Sequence, residues 1–423
     1  MGLYQEASIY ICGLVVCAAF TVISPFYPKA AQSKGVPFWV TGVVFSLVPI
    51  FALLSSLVLG SFLYKLGRRT CFVSGIVLVG ISNILISLIV FGDTASVIFF
   101  SFLSRILAGI GSAFSMTSGY AILTSENTED VQKTVAKMEA FCGLGLIAGP
   151  LIGSGLFAAG GIFISFLLVG IILIIYAPLG GFLLGKTKPY VLSEDKINII
   201  EILIKPKIML DALCQACIMF TLGFIAPSLE LHILNFDIEE EYVGVIYSVN
   251  TFTYALSCYL LSFVPQKYDK RIMMTLGLFM LSFAFLLIGP CPFLLPPEFW
   301  IVVSSLFFLG VGGAMIYVPS LPNMIDNAHK RYGYGKDDRL NDALSGITTF
   351  SLSFGEMCGP GTAGFMLSYL NFPESSTLIA IIIMTYFVIY LIGSDLLVKV
   401  AKPFKSKLAG EQALIELKTQ DDE

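Results

Sequence analysis

The sequence predicts an all-α membrane protein of twelve transmembrane helices in two pseudo-repeated six-helix bundles. Three observations carry that expectation. Apolar runs of about twenty residues recur along the chain, and a bilayer core about 30 Å thick needs that length at about 1.5 Å rise per residue. Basic residues crowd alternate breaks between the runs. Two glycine motifs recur in the same order about half a chain apart.

Composition excludes other classes. Of 423 residues, 56% are hydrophobic and 13% are charged, whereas a soluble domain carries about a quarter charged. A nucleic-acid binder or an ordinary cytosolic enzyme does not fit, and no nucleophile–base set stands out. The first residues hold Glu6 but no Lys or Arg, and the first run is long enough to span, so no cleavable signal is expected. Most of the nine cysteines, such as Cys12, Cys17, Cys142, Cys258 and Cys358, lie inside apolar runs. Cys214 and Cys217 make a CxxC with no second pair. They read as small hydrophobes, and neither a metal nor a cofactor is expected.

The spans fall near 8–26, 40–62, 71–91, 96–120, 137–158, 162–184, 209–231, 242–264, 272–290, 299–322, 344–368 and 375–398. They group as an N-terminal bundle (1–185), a basic, amphipathic linker (186–208), a C-terminal bundle (209–400) and a tail (401–423). With both ends in the cytosol, the cytoplasmic loops collect Lys65, Arg68 and Arg69; Lys133 and Lys137; Lys186, Lys188, Lys196, Lys205 and Lys207; Lys267, Lys270 and Arg271; and Lys330, Arg331, Lys336 and Arg339. The outer loops hold only Lys29 and Lys34. A wrong count would swap the sides partway along and destroy that asymmetry.

The halves also repeat. Gly109-Ile-Gly111 in the fourth span corresponds to Gly310-Val-Gly312 in the tenth. Gly145-xxx-Gly149-Pro150 in the fifth corresponds to Gly355-xxx-Gly359-Pro360 in the eleventh. Two ordered motif pairs are hard to obtain by chance, and repeated halves with a site between them are a common transporter plan.

Three motifs resemble those of the major facilitator superfamily. After the second span, Gly60, Lys65, Gly67, Arg68 and Arg69 follow its G-x-x-x-D-R-x-G-R-[RK] signature, with Tyr64 in place of the Asp. That acid is linked to a latch between the halves, so the latch is in doubt. Arg105, Gly109 and Gly111 follow R-x-x-x-G-x-G. A mid-span guanidinium should face a cavity or a carboxylate, or pair with backbone carbonyls; the resemblance implies a part in proton coupling. Gly145, Gly149, Pro150 and Gly153 follow the antiporter motif G-x-x-x-G-P-x-x-G-G, with Ser154 ending it. A glycine stripe with a proline makes a close-packed, bendable helix.

Titratable and aromatic groups inside the spans supply candidate ligands. Glu356 lies mid-span and could take a proton or a cation, or stay protonated against a neighbouring helix. Glu139, Glu230 and Asp326 sit at span ends, each either a site or a solvated end residue. Tyr247, Asn250 and Tyr254 share one face of the eighth span, with Tyr317 in the tenth. Tyrosine rings hold ammonium groups or simply pack. The outer loop Asp237-Ile-Glu239-Glu240-Glu241 could attract cations.

Phe26-Tyr27-Pro28-Lys29-Ala30, Met138-Glu139-Ala140-Phe141-Cys142, and Tyr242-Val243-Gly244 with Tyr254-Ala255 narrow the resemblance to the vesicular amine transporter family. That resemblance implies a monomeric, multi-pass antiporter driven by a proton gradient, loading small organic cations into acidic vesicles by alternating access. It implies a cavity lined by spans 1, 2, 4, 5, 7, 8, 10 and 11. Val16 and Cys17 occupy the region where monoamine members carry an intramembrane Asp, which favours polyamine-like cations. Glu411-Gln-Ala-Leu414-Ile415 resembles an acidic dileucine signal, one residue short, for an endosomal or vesicular membrane rather than the plasma membrane. The alternatives are broad multidrug efflux with the same motifs, and a non-transporting receptor on the same fold.

Overall fold

The computed structural model describes residues 2–22, 27–128, 130–185, 197–234, 236, 240–265, 268–289, 298–335 and 337–396. Their helices are α1 (Leu3–Thr21), α2 (Tyr27–Ser33), α3 (Phe38–Leu66), α4 (Arg68–Ser87), α5 (Thr94–Glu126), α6 (Val131–Leu184), α7 (Ile199–Leu203), α8 (Pro206–Leu234), α9 (Glu240–Leu261), α10 (Lys270–Ile288), α11 (Phe299–Lys330), α12 (Asp338–Leu367) and α13 (Phe372–Gly393). A 3-10 turn, Leu88–Phe91, follows α4, and the described residues contain no strand. The expected all-α membrane fold is what the chain adopts.

Local chemistry sets the helix ends. Gly67 turns the chain between α3 and α4 at a φ of 85°, a left-handed conformation that glycine enters without a Cβ penalty. Asp93, Asp269, Asp337 and Asn371 accept backbone N–H bonds at the starts of α5, α10, α12 and α13, as good N-caps do. α6 has 54 residues but breaks at Gly160 and Gly161, the latter at a φ of 67°. Its two arms correspond to the expected fifth and sixth spans. Counting them separately, the described residues hold twelve rods of 19 residues or more.

Among the described residues, nine helices are long and apolar enough to cross a membrane, α6 counting once. The long helices left out, α9 and α12, are the more polar ones, and both turn polar groups into a central cavity. Large apolar side chains such as Leu54, Val58, Ile175, Phe182, Ile381 and Ile392 are exposed on the outside. That inversion of a soluble surface suits lipid contact.

The repeated glycines make repeated contacts. A Cβ on Gly149 of α6 would stand 2.6 Å from the Ala18 carbonyl oxygen of α1; on Gly359 of α12 it would stand 2.6 Å from that of Phe220 in α8. Gly145 meets Leu14 as Gly355 meets Ala216. Gly109 lies against Val48 as Gly310 lies against Asn250, 2.5 Å in each case, while Gly111 and Gly312 meet Gly75 and Gly277. Gly153 continues the α6 stripe as a buried residue. α1–α6 and α8–α13 thus reuse the same helix pairings.

One end of the bundle collects the start of α1 with the basic residues. Asn127 bonds Glu6, Arg68 reaches Ser125 and Asp338, Lys207 meets Tyr332, and Arg271 reaches Ser394. This is called the basic end below. Of the expectations above, residues 186–196 of the linker, the tail with its Leu414–Ile415 pair, residues 237–239, and the side chains of Glu230, Glu240 and Glu241 lie outside what is described.

Candidate substrate cavity and gate

A cavity of about 560 Å³ lies between the two sets of helices, within the ordinary range for small-molecule sites. All eight helices expected to line it do so (α1, α3, α5, α6, α8, α9, α11 and α12), and α10 adds Leu281. Each contributes one face. α9 presents Tyr247, Asn250 and Tyr254, the stripe read from the sequence; α12 presents Thr349, Ser353 and Glu356; α6 presents Glu139, Cys142 and Leu146. Among the described residues, Glu139 and Glu356 are the charged members of the lining, which includes no described Lys, Arg or His.

Glu139 is not a solvated end residue. α6 begins at Val131, so Glu139 sits eight residues into the helix, about 12 Å along it. It is 4% exposed. The Tyr120 hydroxyl donates to Oε1, and the Tyr254 hydroxyl donates to Oε2 at 2.8 Å. The Tyr317 hydroxyl lies 3.0 Å from that of Tyr120. Three phenols from α5, α9 and α11 therefore hold one carboxylate of α6, joining both sets of helices at the basic-end floor of the cavity.

Glu356 differs. It lines the cavity from α12 and makes no side-chain hydrogen bond or ion pair with a described residue. The Asn250 amide also faces the cavity without a described partner. Tyr247 donates to the Ile225 carbonyl at 2.8 Å, close to Pro227, which removes a backbone donor from α8. Tyr247 therefore ties α9 to α8 while its ring lines the site.

Two expectations need correction. Arg105 is 2% exposed but does not line the cavity and meets no carboxylate among the described residues. Its hydrogen bond goes to Ser104, and its Nε has no partner. It shares the helix face of Ser112, one heptad earlier, but lies two turns, about 10 Å, further from the basic end. Asp326 pairs with Lys270 and with Lys330 (3.0 Å) at the basic end, outside the cavity. The side chain of Glu230 lies outside what is described, so that expectation stands as it was.

Sequence reading passed over Asp211. It is buried in α8, accepting from Asn323 (2.8 Å), Asn327 (3.0 Å) and Tyr390 (3.0 Å). Its one signal was an acid early in an apolar run. Satisfied by neutral donors and beside Arg271, it ties α8, α11 and α13 together.

The basic end is sealed by charge. Arg68 is buried and donates from Nε to Asp342 at 2.7 Å, from Nη2 to the Asp338 carbonyl at 2.9 Å and from Nη1 to Ser125 at 2.7 Å. Asp338 and Asp342 belong to α12, so a latch joins the two sets without the acid replaced by Tyr64. The Tyr64 ring instead lies under Arg339, 5.9 Å away, and beside Lys65. Arg69 is exposed. Beneath the latch, Gly60 packs on Gly346 of α12, and Thr117 bonds Thr349 at 3.0 Å. The cavity lining continues away from this seal to Thr21 and Ala226.

A closed end, a central cavity and duplicated helix pairings are the plan of a membrane transporter. The chain matches the model of the Major Facilitator Superfamily over residues 9–335 and belongs to that superfamily. It is a multi-pass membrane transporter, not an enzyme. It is 27% identical over 375 residues, 88% of this chain and 81% of the relative, to the MFS-type transporter SLC18B1 of Homo sapiens. It is 25% identical over 346 residues (79% and 63%) to the vesicular acetylcholine transporter of Torpedo marmorata. The human organic anion transporter MFSD10 superposes with a TM-score of 0.71 at 16% identity, covering 92% of this chain and 100% of that one. The E. coli fucose:proton symporter FucP gives 0.69 at 12% identity, covering 92% and 98%. These two likenesses concern the fold alone.

Proposed function

We propose that the protein is a proton-coupled antiporter of small organic cations, polyamine-like in carrying more than one ammonium group. The observation that carries this reading is a cavity whose lining, among the described residues, has two carboxylates and no basic side chain. An anion entering it would lose hydration and meet only like charge, whereas an ammonium meets Glu139, Glu356 and tyrosine faces. The carboxylates stand on α6 and α12, one on each set of helices, which suits a ligand with two separated charges. Similarity to a vesicular carrier supports a vesicular or endo-lysosomal membrane, and the crowding of Lys and Arg in alternate loops supports cytosolic termini.

In this reading, bundles 1–185 and 209–400 rock about the cavity as a monomer. A proton from the acidic side neutralises a carboxylate and frees the cation, and its loss on the other side restores affinity. Coupling needs only that proton and cation exclude one another at a shared charge. Glu356, with no described partner to hold it, is the ready proton and cation ligand. Arg105 acts outside the cavity, through the packing of α5. Apolar walls at Phe20, Met116, Met219 and Leu222 keep broad efflux of lipophilic cations as the second reading.

The test is uptake of labelled spermine into proteoliposomes with an acidic lumen. Collapse of the gradient abolishes uptake, and Glu356→Gln weakens it about tenfold or more, the loss of one charge-assisted bond of about 1.5–3 kcal/mol. Gradient-independent uptake, or full uptake by Glu356→Gln, refutes the coupling scheme. Competition by many unrelated lipophilic cations favours the second reading.

A further inference from the structure

We infer that Glu139 is at once a ligand for the transported cation and the latch of the basic-end gate, so that a substrate ammonium and the closed gate compete for one carboxylate. This rests on the cation reading above.

Glu139 belongs to α6, but two of the phenols around it, Tyr254 and Tyr317, belong to α9 and α11 across the cavity. One turn further on, Gly143 lets α6 approach Ala255 of α9, where an added Cβ would stand 2.8 Å from that of Ala255. The hydrogen bond and the close approach thus seal the same helix crossing. The groups facing Glu139 are Tyr120 on α5, Tyr254 and Cys258 on α9, Tyr317 on α11, and Cys142 on α6, with Cys17 of α1 behind Cys142. No Lys, Arg or His stands among them. The ionised carboxylate therefore has dipoles around it but no counter-charge.

An ammonium in the cavity supplies that charge. With Glu139 only 4% exposed, the ammonium reaches a carboxylate oxygen only if a phenol turns aside. Tyr254 is the partner in direct contact on the far set of helices, and it lines the cavity. Displacing it removes a bond between the halves, so occupancy loosens the gate. Protonating Glu139 removes the charge that held the ammonium, while a neutral carboxyl still bonds the phenols, so an acid compartment favours release and re-closure. Glu356, with no phenol latch, binds the cation without moving the gate.

The experiment is hydrogen–deuterium exchange over residues 338–346, the gate end of α12, in the purified full-length protein with and without saturating spermine. Thermal stabilisation reports binding. In the wild type, spermine raises exchange there. Tyr254→Phe exchanges fast without spermine and is still stabilised by it. Glu139→Gln stays protected at any spermine concentration, whereas Glu356→Gln binds more weakly yet opens at saturation. A Glu139→Gln protein that opens like the wild type, or a Tyr254→Phe protein that stays protected, overturns the inference; Tyr254→Phe decides alone if Glu139→Gln does not fold. A wild type stabilised by spermine with an unmoved gate also overturns it. A wild type that spermine does not stabilise overturns the cation reading, and the inference with it.

Discussion

Removal of Arg68 tests the rim of the gate most directly. Arg68 is 4% exposed and Asp342 is fully buried, with Nε and the carboxylate 2.7 Å apart. Breaking such a pair by deleting one partner costs about 3–5 kcal/mol, because the other charge stays desolvated. The penalty applies only while the basic end is closed, since in the open form water reaches Asp342. Arg68→Ala therefore shifts the closed–open balance rather than unfolding the protein. Because Asp338 and Ser125 lie at the same point and can rearrange, the lower figure is the better guide. About 3 kcal/mol is roughly a hundredfold change in population. Exchange at the start of α12 should rise by that order, and Asp342→Asn should act in the same direction. The reversed pair, Arg68→Asp with Asp342→Arg, should restore protection. Wild-type exchange in Arg68→Ala would show that the ion pair does not hold the gate.

Four further outcomes follow from the same geometry. Gly355→Ala drives a methyl into the Ala216 carbonyl and should cost about 1–3 kcal/mol of stability, read as a lower melting temperature; an unchanged melting temperature would mean that α12 and α8 separate freely. Arg105→Met should leave spermine affinity within about twofold, as expected of a site with no shared partners, and a tenfold loss would put the guanidinium in the binding site. Asp326→Asn breaks pairs with Lys270, which is mostly buried, and with exposed Lys330, both outside the cavity, so spermine affinity should be unaffected; a lost affinity would return Asp326 to the substrate path. Tyr64→Asp places a carboxylate beside Arg339 of α12 and should strengthen closure by about 0.5–1 kcal/mol, slowing turnover at unchanged affinity. Faster turnover would contradict the latch.

The fold was legible because bilayer physics writes itself into the chain at low resolution. Apolar length, alternating charge and repeated glycines each report a constraint local to a few residues. The Gly149–Ala18 and Gly359–Phe220 approaches need no side chain, so their motif survives in both halves. Sites were harder, since they depend on depth and on partners far off in sequence. Glu356 was readable because it sits mid-span whatever the boundary. Glu139 was placed at an edge because the apolar run starts late, after Gln132, Lys133 and Lys137, whereas the helix starts at Val131. Asp326 looked like Glu139 by the same measure, yet Lys270, 56 residues away, claims it. Arg105 reads as a mid-span charge, but position along the span does not show that it bonds Ser104 outside the cavity. The substitution at Tyr64 suggested a missing latch, because one sequence motif cannot show that Asp338 and Asp342 supply the acids from α12.

Closure at the basic end is therefore built in two layers that substrate sees differently. The rim, Arg68 with Asp338 and Asp342, does not line the cavity, so no ligand there can compete for it. The floor, Glu139 with Tyr254, lines the cavity and is open to competition. A charge-assisted phenol bond contributes about 1.5–3 kcal/mol, while moving a two-state balance from 1:99 to 99:1 takes about 5.5 kcal/mol. Release of the floor alone thus opens the gate only if the rim holds it closed by a small margin. A stronger rim would make the carrier unresponsive, and a weaker one would let it cycle empty and dissipate the gradient. Tyr64 in place of an acid lowers the rim's charge pairing, which keeps that margin within reach of the floor carboxylate, Glu139, for which a cation competes.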